Sequence, residues 1–244
     1  MKAIVLAAGR GSRMNESTAK LPKCMMRLCG KSLLDRCMNS LLTAGFARSD
    51  IGIVTGYRSE KIQIPGVRYF QNTEWETTNM FISLTKAREW LLSEPCLVSY
   101  SDIVYSSSTA CKLMEDDSEI AITYYTKYWE LWSKRMENPL DDLETFLLEG
   151  GKLAGIGKKP TCREDIQGQY MGLLRFTPSG WRKIDEAIRL PMPKPLEKLD
   201  MTTLLQHLLD HGHEVTAIPT DDLWLECDSQ EDIQVYEREF SQFL

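Results

Sequence analysis

The sequence predicts an α/β fold: a Rossmann-like, mostly parallel mixed sheet flanked by helices, with an inserted β-hairpin subregion. Three observations carry that expectation. The chain opens on the apolar run Ala3-Ile4-Val5-Leu6-Ala7-Ala8, which breaks into Gly9-Arg10-Gly11-Ser12-Arg13, the pattern of a buried strand ending at a phosphate-binding loop. Strand-like and helical periods then alternate through the first half. Further on, Gly150-Gly151 separates two short apolar runs, which signals a hairpin.

The elements follow in order. Residues 32–46 place Leu33, Leu34, Cys37, Met38, Leu41 and Leu42 at helical spacing, with Gly45 near the end. Strands are expected at 51–55 and 67–70, a helix at 78–92 through Phe81, Leu84, Ala87 and Leu91, and a buried strand at 96–100 that ends in Ser101-Asp102. Residues 119–126 read as a strand, followed by aromatics at Tyr124, Tyr125, Tyr128, Trp129 and Trp132. The hairpin pairs 145–148 with 152–156 and delivers Gly157-Lys158-Lys159-Pro160 to its far end. A strand at 170–176 runs into Thr177-Pro178, an N-cap with proline at the first helical position. Beyond a proline-rich loop at 190–199, the chain predicts a helix at 201–209, short strands at 215–219 and 223–227, and a last helix opened by the capping box Ser229-Gln230-Glu231-Asp232.

Composition narrows the function classes. The net charge of −6 argues against nucleic-acid and anionic-membrane partners, whose surfaces select a basic footprint. The seven cysteines are odd in number and lack a Cys-x-x-Cys pair, so they read as reduced thiols of a cytoplasmic protein. No segment is long and apolar enough to span a bilayer, and the opening run is too short for a signal peptide.

Two familiar phosphate loops fail. The dinucleotide fingerprint would need glycine where Met14 stands, and Gly30-Lys31-Ser32 lacks the leading P-loop glycine, which would fall at Met25. His207 and His211 at i, i+4 have no zincin pattern around them and read as helix-end residues. The remaining signal, Leu6-Ala7-Ala8-Gly9-Arg10-Gly11-Ser12-Arg13 with Pro22-Lys23 downstream, resembles the signature of nucleotidyltransferases that activate sugar phosphates and phospho-alcohols.

That resemblance implies roles for particular residues. Backbone at Leu6, Ala7, Ala8, Gly9, Gly11 and Ser12 would wrap a nucleoside triphosphate whose phosphates Arg13 and Lys23 contact, and Thr78, Asn79 and Ser101 would lie beside the base and ribose. Asn79 reads equally well as an N-cap. Asp102 and Asp228 would share Mg²⁺, although each alone reads equally well as a turn or cap aspartate. The segments 130–135, 138–144, 156–160 and 168–172 are similar to the phosphocholine and phosphonate (2-aminoethylphosphonate-type) cytidylyltransferase branch. CTP as donor and a small phosphonate or phosphate-ester acceptor follow from it.

Lys159 inherits contact with the acceptor phosphate, while Lys158 replaces the glutamate that often holds sugar hydroxyls in relatives. Trp129, Arg135, Asp141, Glu144, Lys158 and Gln169 are the expected acceptor residues, with aromatic faces and carboxylates suited to a cationic head group. At three- and four-residue spacing, Tyr125, Trp129 and Trp132 also read as a buried helix stripe. The expected layout is one domain over 1–244: a nucleotide-binding part at about 1–120, an acceptor-binding part at about 121–200 and a closing metal-binding segment at about 214–244. A sugar-1-phosphate nucleotidylyltransferase and a non-catalytic nucleotide-binding module are the alternatives, and a homodimer is compatible with the sequence.

Overall fold

The computed structural model describes residues 1–11 and 20–244. Strand β1 (Lys2–Ala7) is an interior strand, third from one edge of a nine-stranded sheet, between β4 (Ile51–Thr55) and β6 (Cys96–Tyr100), and is parallel to both. A strand paired on both edges and covered by helices must be apolar throughout, and Ala3, Ile4 and Val5 are fully buried. Strand β5 (Arg68–Gln71) extends this parallel half beyond β4.

The other half is mixed. Strand β11 (Gln169–Phe176) runs antiparallel between β6 and β8 (Ile120–Tyr125), and β12 (Thr216–Thr220) pairs parallel with β8. The predicted hairpin forms as β9 (Phe146–Glu149) and β10 (Lys152–Ile156), and Gly150 and Gly151 turn it with φ of 56° and 79°. Positive φ at both central residues is what a two-residue turn of primed type requires. The hairpin continues the main sheet, because β10 joins β12 at Lys152 and Thr216 and β9 becomes the far edge.

The predicted helix at 32–46 is α1 (Leu33–Thr43), opened by a capping box in which Ser32 and Asp35 satisfy each other's backbone N–H groups. The single helix expected at 78–92 divides into α2 (Met80–Thr85) and α3 (Arg88–Ser93). The break at Ala87 lets Trp90 pack edge-on against Phe70 of β5, with ring centroids 5.1 Å apart. Three elements went unread: the ribbon of β2 (Arg27–Leu28) with β3 (Lys31–Ser32), strand β7 (Ile103–Tyr105) and helix α4 (Ser107–Glu115). A three-residue strand is too short for a period to show. The remaining helices are α5 (Tyr128–Arg135), α6 (Pro178–Ala187), α7 (Met201–Asp210) and α8 (Gln230–Glu239). No described helix is long and apolar enough to cross a membrane, and the seven cysteines are free.

Candidate active site

Strand β7 pairs antiparallel with β13 (Trp224–Glu226) in a small ribbon outside the main sheet, and Cys227 N–H donates to the Asp102 carbonyl at 3.0 Å. This pairing brings Asp102 and Asp228, distant in sequence, to one point. Between their carboxylates stands the Lys23 ammonium, 2.5 Å from Asp102 Oδ2 and 2.7 Å from Asp228 Oδ1. Burial alone would depress the lysine, but the two carboxylates beside it hold its pKa above the ordinary value. The glycine-rich loop closes on its stem: Gly11 has φ of 72°, and a Cβ there would stand 2.7 Å from Lys23 Cβ.

Two cavities meet at this cluster. The first, about 150 Å³, is lined by Leu6, Ala8, Gly9, Thr78, Asn79 and Ser101 from the predicted nucleotide set, by the predicted phosphate contact Lys23 and metal ligand Asp102, and also by Trp75, Met80, Ser83 and Tyr100. Ala7 stays in the core of β1, and Gly11 packs on Lys23. Ser12 and Arg13 lie outside the described residues. Asn79 caps α2, its Oδ1 accepting from Met80 N at 2.9 Å, while its amide donates to Lys198 O at 3.4 Å. Beneath it the fully buried Asn72 donates to Thr78 and Ser83 at 3.0 Å each, fixing the cavity wall.

The second cavity, about 280 Å³, shares Met80 and Tyr100 with the first. Asp142, Glu144, Asp200, Glu226 and Asp228 line it together with Gln169, and among the described residues no lysine or arginine does. Burial raises the Glu144 carboxyl above its usual value. Burial, then Asp228 and Asp102, push Glu226 up to about 8, against the partial relief of Arg135 and Lys23. Folded Glu226 therefore keeps its proton between pH ~4.5 and 8, where an unfolded glutamate has lost it, so its contribution to stability falls as pH rises through that window. In urea denaturation with divalent ions chelated, Glu226→Gln should lose less stability than the wild type between pH 5 and 8. Parallel pH profiles would refute that assignment.

Several residues expected to hold the acceptor sit elsewhere. Arg135, only 2% exposed, turns inward and donates to both carboxylate oxygens of Asp232, at 2.8 and 3.2 Å. Asp232 in turn accepts from the backbone of Asp228 and Ser229 at 2.9 Å each, so Arg135 braces the loop carrying Asp228. Lys159 donates to the carbonyls of Leu140 and Asp141, at 2.5 and 2.7 Å, where a short 3-10 turn leaves them unpaired. Asp141 and Lys158 are exposed, Asp141 accepting from Asn138, and Trp129 stacks under Arg163 at 4.7 Å. Only Glu144 and Gln169 of the predicted acceptor residues line the cavity. Asp142, Asp200 and Glu226 went unassigned, although Glu226 and Asp228 at i, i+2 on an extended chain could have been read as sharing a face. Trp132, buried as its helical spacing allowed, reaches the same cavity and donates from Nε1 to Asp142.

The model of the MobA-like NTP transferase domain matches residues 3–154. The chain is a MobA-like NTP transferase. Across the whole transferase, the CTP:phosphoglutamine cytidylyltransferase of Campylobacter jejuni is 32% identical over 254 residues, covering 96% of this chain and 98% of that protein. The 2-aminoethylphosphonate cytidylyltransferase of Lancefieldella rimae is 32% identical over 109 residues, 43% of this transferase and 44% of the other. In three dimensions the inositol-1-phosphate CTP transferase from T. maritima superposes with a TM-score of 0.73 at 23% identity, covering 98% of this chain and 96% of that one, which supports the fold. The expected nucleotidyltransferase fold and enzyme class hold for this transferase.

Proposed function

We propose that the enzyme transfers CMP from CTP to a small phosphate or phosphonate whose far end carries an ammonium group. One observation carries the acceptor class: among the described residues, five acidic residues and no lysine or arginine line the cavity beside the Asp102–Lys23–Asp228 cluster, with Arg135 behind the wall within 4.0 Å of Asp142, Glu226 and Asp228, and Lys194 on Asp200. Glucose-type acceptors offer hydroxyls, which need mixed donors and acceptors. An ammonium is instead favoured by carboxylates. Cytidine as the base rests on the Campylobacter and Lancefieldella relatives, both named as cytidylyltransferases.

Asp102 and Asp228 fit a divalent cation, since their oxygens converge within 2.7 Å of one atom and Mg²⁺ takes one or two carboxylates plus substrate phosphates. Mg²⁺ held there would neutralise charge on the α-phosphate and the leaving pyrophosphate. In the reaction, an acceptor oxygen attacks the α-phosphorus in line, the bond from that phosphorus to the bridging oxygen breaks, and pyrophosphate departs. The acceptor is already an anion, so no base need remove a proton. Lys23 supplies positive charge at the triphosphate, Asn72 and Asn79 fix the wall beside the base, and Arg135 acts through Asp232 on Asp228.

Pyrophosphate release is the direct assay, crossing CTP, UTP, ATP and dTTP with phosphocholine, 2-aminoethylphosphonate, phosphoglutamine and glucose-1-phosphate. CTP with an ammonium-bearing acceptor should exceed every sugar pairing by at least tenfold. Turnover of glucose-1-phosphate with UTP or dTTP, and none with the ammonium acceptors, would overturn the proposal.

A further inference from the structure

Lys23 occupies the position at which both metal-type carboxylates converge. Its ammonium is 2.5 Å from one and 2.7 Å from the other, its side chain is 12% exposed, and Gly11 closes on its stem. An ammonium and a divalent cation cannot both stand between those two oxygens at such distances, because like charges packed together repel. Lys23 also lines the nucleotide cavity, where a triphosphate would offer it new anionic partners.

We propose that Lys23 is an exchangeable resident cation: it holds Asp102 and Asp228 together in the nucleotide-free enzyme and moves to the triphosphate when a divalent cation takes its place. This rests on the proposed metal and nucleotide sites. Without Lys23 or a metal in its place, the two carboxylates would repel each other where they meet, while the backbone pairing of the β7–β13 ribbon keeps them close. With it, the site is assembled before substrate arrives, at the cost of weak metal affinity in the free enzyme. Metal and nucleotide then bind cooperatively, since the triphosphate accepts the ammonium that the metal displaces.

Two measurements that need no turnover test the exchange. In the first, Mn²⁺ binding is followed by electron paramagnetic resonance in wild type, Lys23→Met and Asp228→Asn, with and without a non-hydrolysable CTP analogue. Wild type should bind Mn²⁺ at least tenfold more tightly with the analogue, whereas Lys23→Met should bind it at least tenfold more tightly than wild type without nucleotide and gain little from the analogue. Equal nucleotide-free affinities in wild type and Lys23→Met would overturn the proposal. In the second, wild-type Lys23 is labelled by acetic anhydride and read by mass spectrometry. Mn²⁺ alone should raise its acylation rate at least fivefold, and the analogue added with Mn²⁺ should lower it again. Mn²⁺ binding that leaves Lys23 as protected as before overturns the exchange. Mn²⁺ affinity unchanged in Asp228→Asn would instead overturn the metal site itself, so the two failures are distinguishable.

Discussion

Asp228→Asn is expected to lower pyrophosphate release on the order of 10²–10³-fold while leaving the fold in place. The carboxylate is one of two that converge on the cation position, and it is 10% exposed, so solvent cannot substitute for its charge. Asparagine keeps the size and one oxygen but removes the charge. The backbone of Asp228 stays held by Asp232, and Lys23 keeps Asp102, so the thermal midpoint should change little or rise as a charge-crowded site is relieved. Steady-state kinetics and thermal melts on the same preparation check both halves. Activity within a few-fold of wild type would remove Asp228 from the machinery, and a collapsed melt would make it structural.

Trp224→Ala should give the largest loss of stability, about 3–5 kcal/mol. Trp224 is fully buried on β13, stacks on Trp132 of α5 with centroids 5.7 Å apart and 21° between planes, and tilts against Tyr125 of β8 at 5.5 Å. Its indole N–H donates to the Met171 carbonyl at 3.2 Å. Alanine would leave a cavity where three elements meet and an unpaired carbonyl on β11. For a chain of this size the melt should fall by roughly 10 °C. Urea denaturation showing less than about 1 kcal/mol lost would mean that the surrounding aromatics collapse into the space.

The parts of the enzyme legible in the sequence are those whose signal is local. The run into Gly9 and Gly11 announces β1 and its loop, Gly150-Gly151 announces the hairpin, and Ser229 with Asp232 announces the start of α8. The candidate site is legible only in part, because it is assembled from pairings between short segments. The ribbon that joins Asp102 to Asp228 consists of two three-residue strands, and neither carries a readable period. The acidic cavity draws Asp142 and Glu144 from one loop, Asp200 from the cap of α7, and Glu226 and Asp228 from the end of β13, with no spacing that links them. Arg135 and Lys159 carried the right charge for an acceptor anion, but each is engaged by nearer oxygens: Asp232 for Arg135, and the carbonyls of a 3-10 turn for Lys159.

Asp232 does two things at once. It caps the first turn of α8 and, through the same carboxylate, ties down the backbone of Asp228. Fraying of that turn and displacement of the Asp228 carboxylate from the site are therefore a single conformational event. For the proposed divalent ion, the apparent affinity would then be the intrinsic affinity scaled by the fraction of molecules in which the turn is formed. Fluctuations near the end of the chain decide how often the glycine-rich loop at its beginning has a complete site to serve.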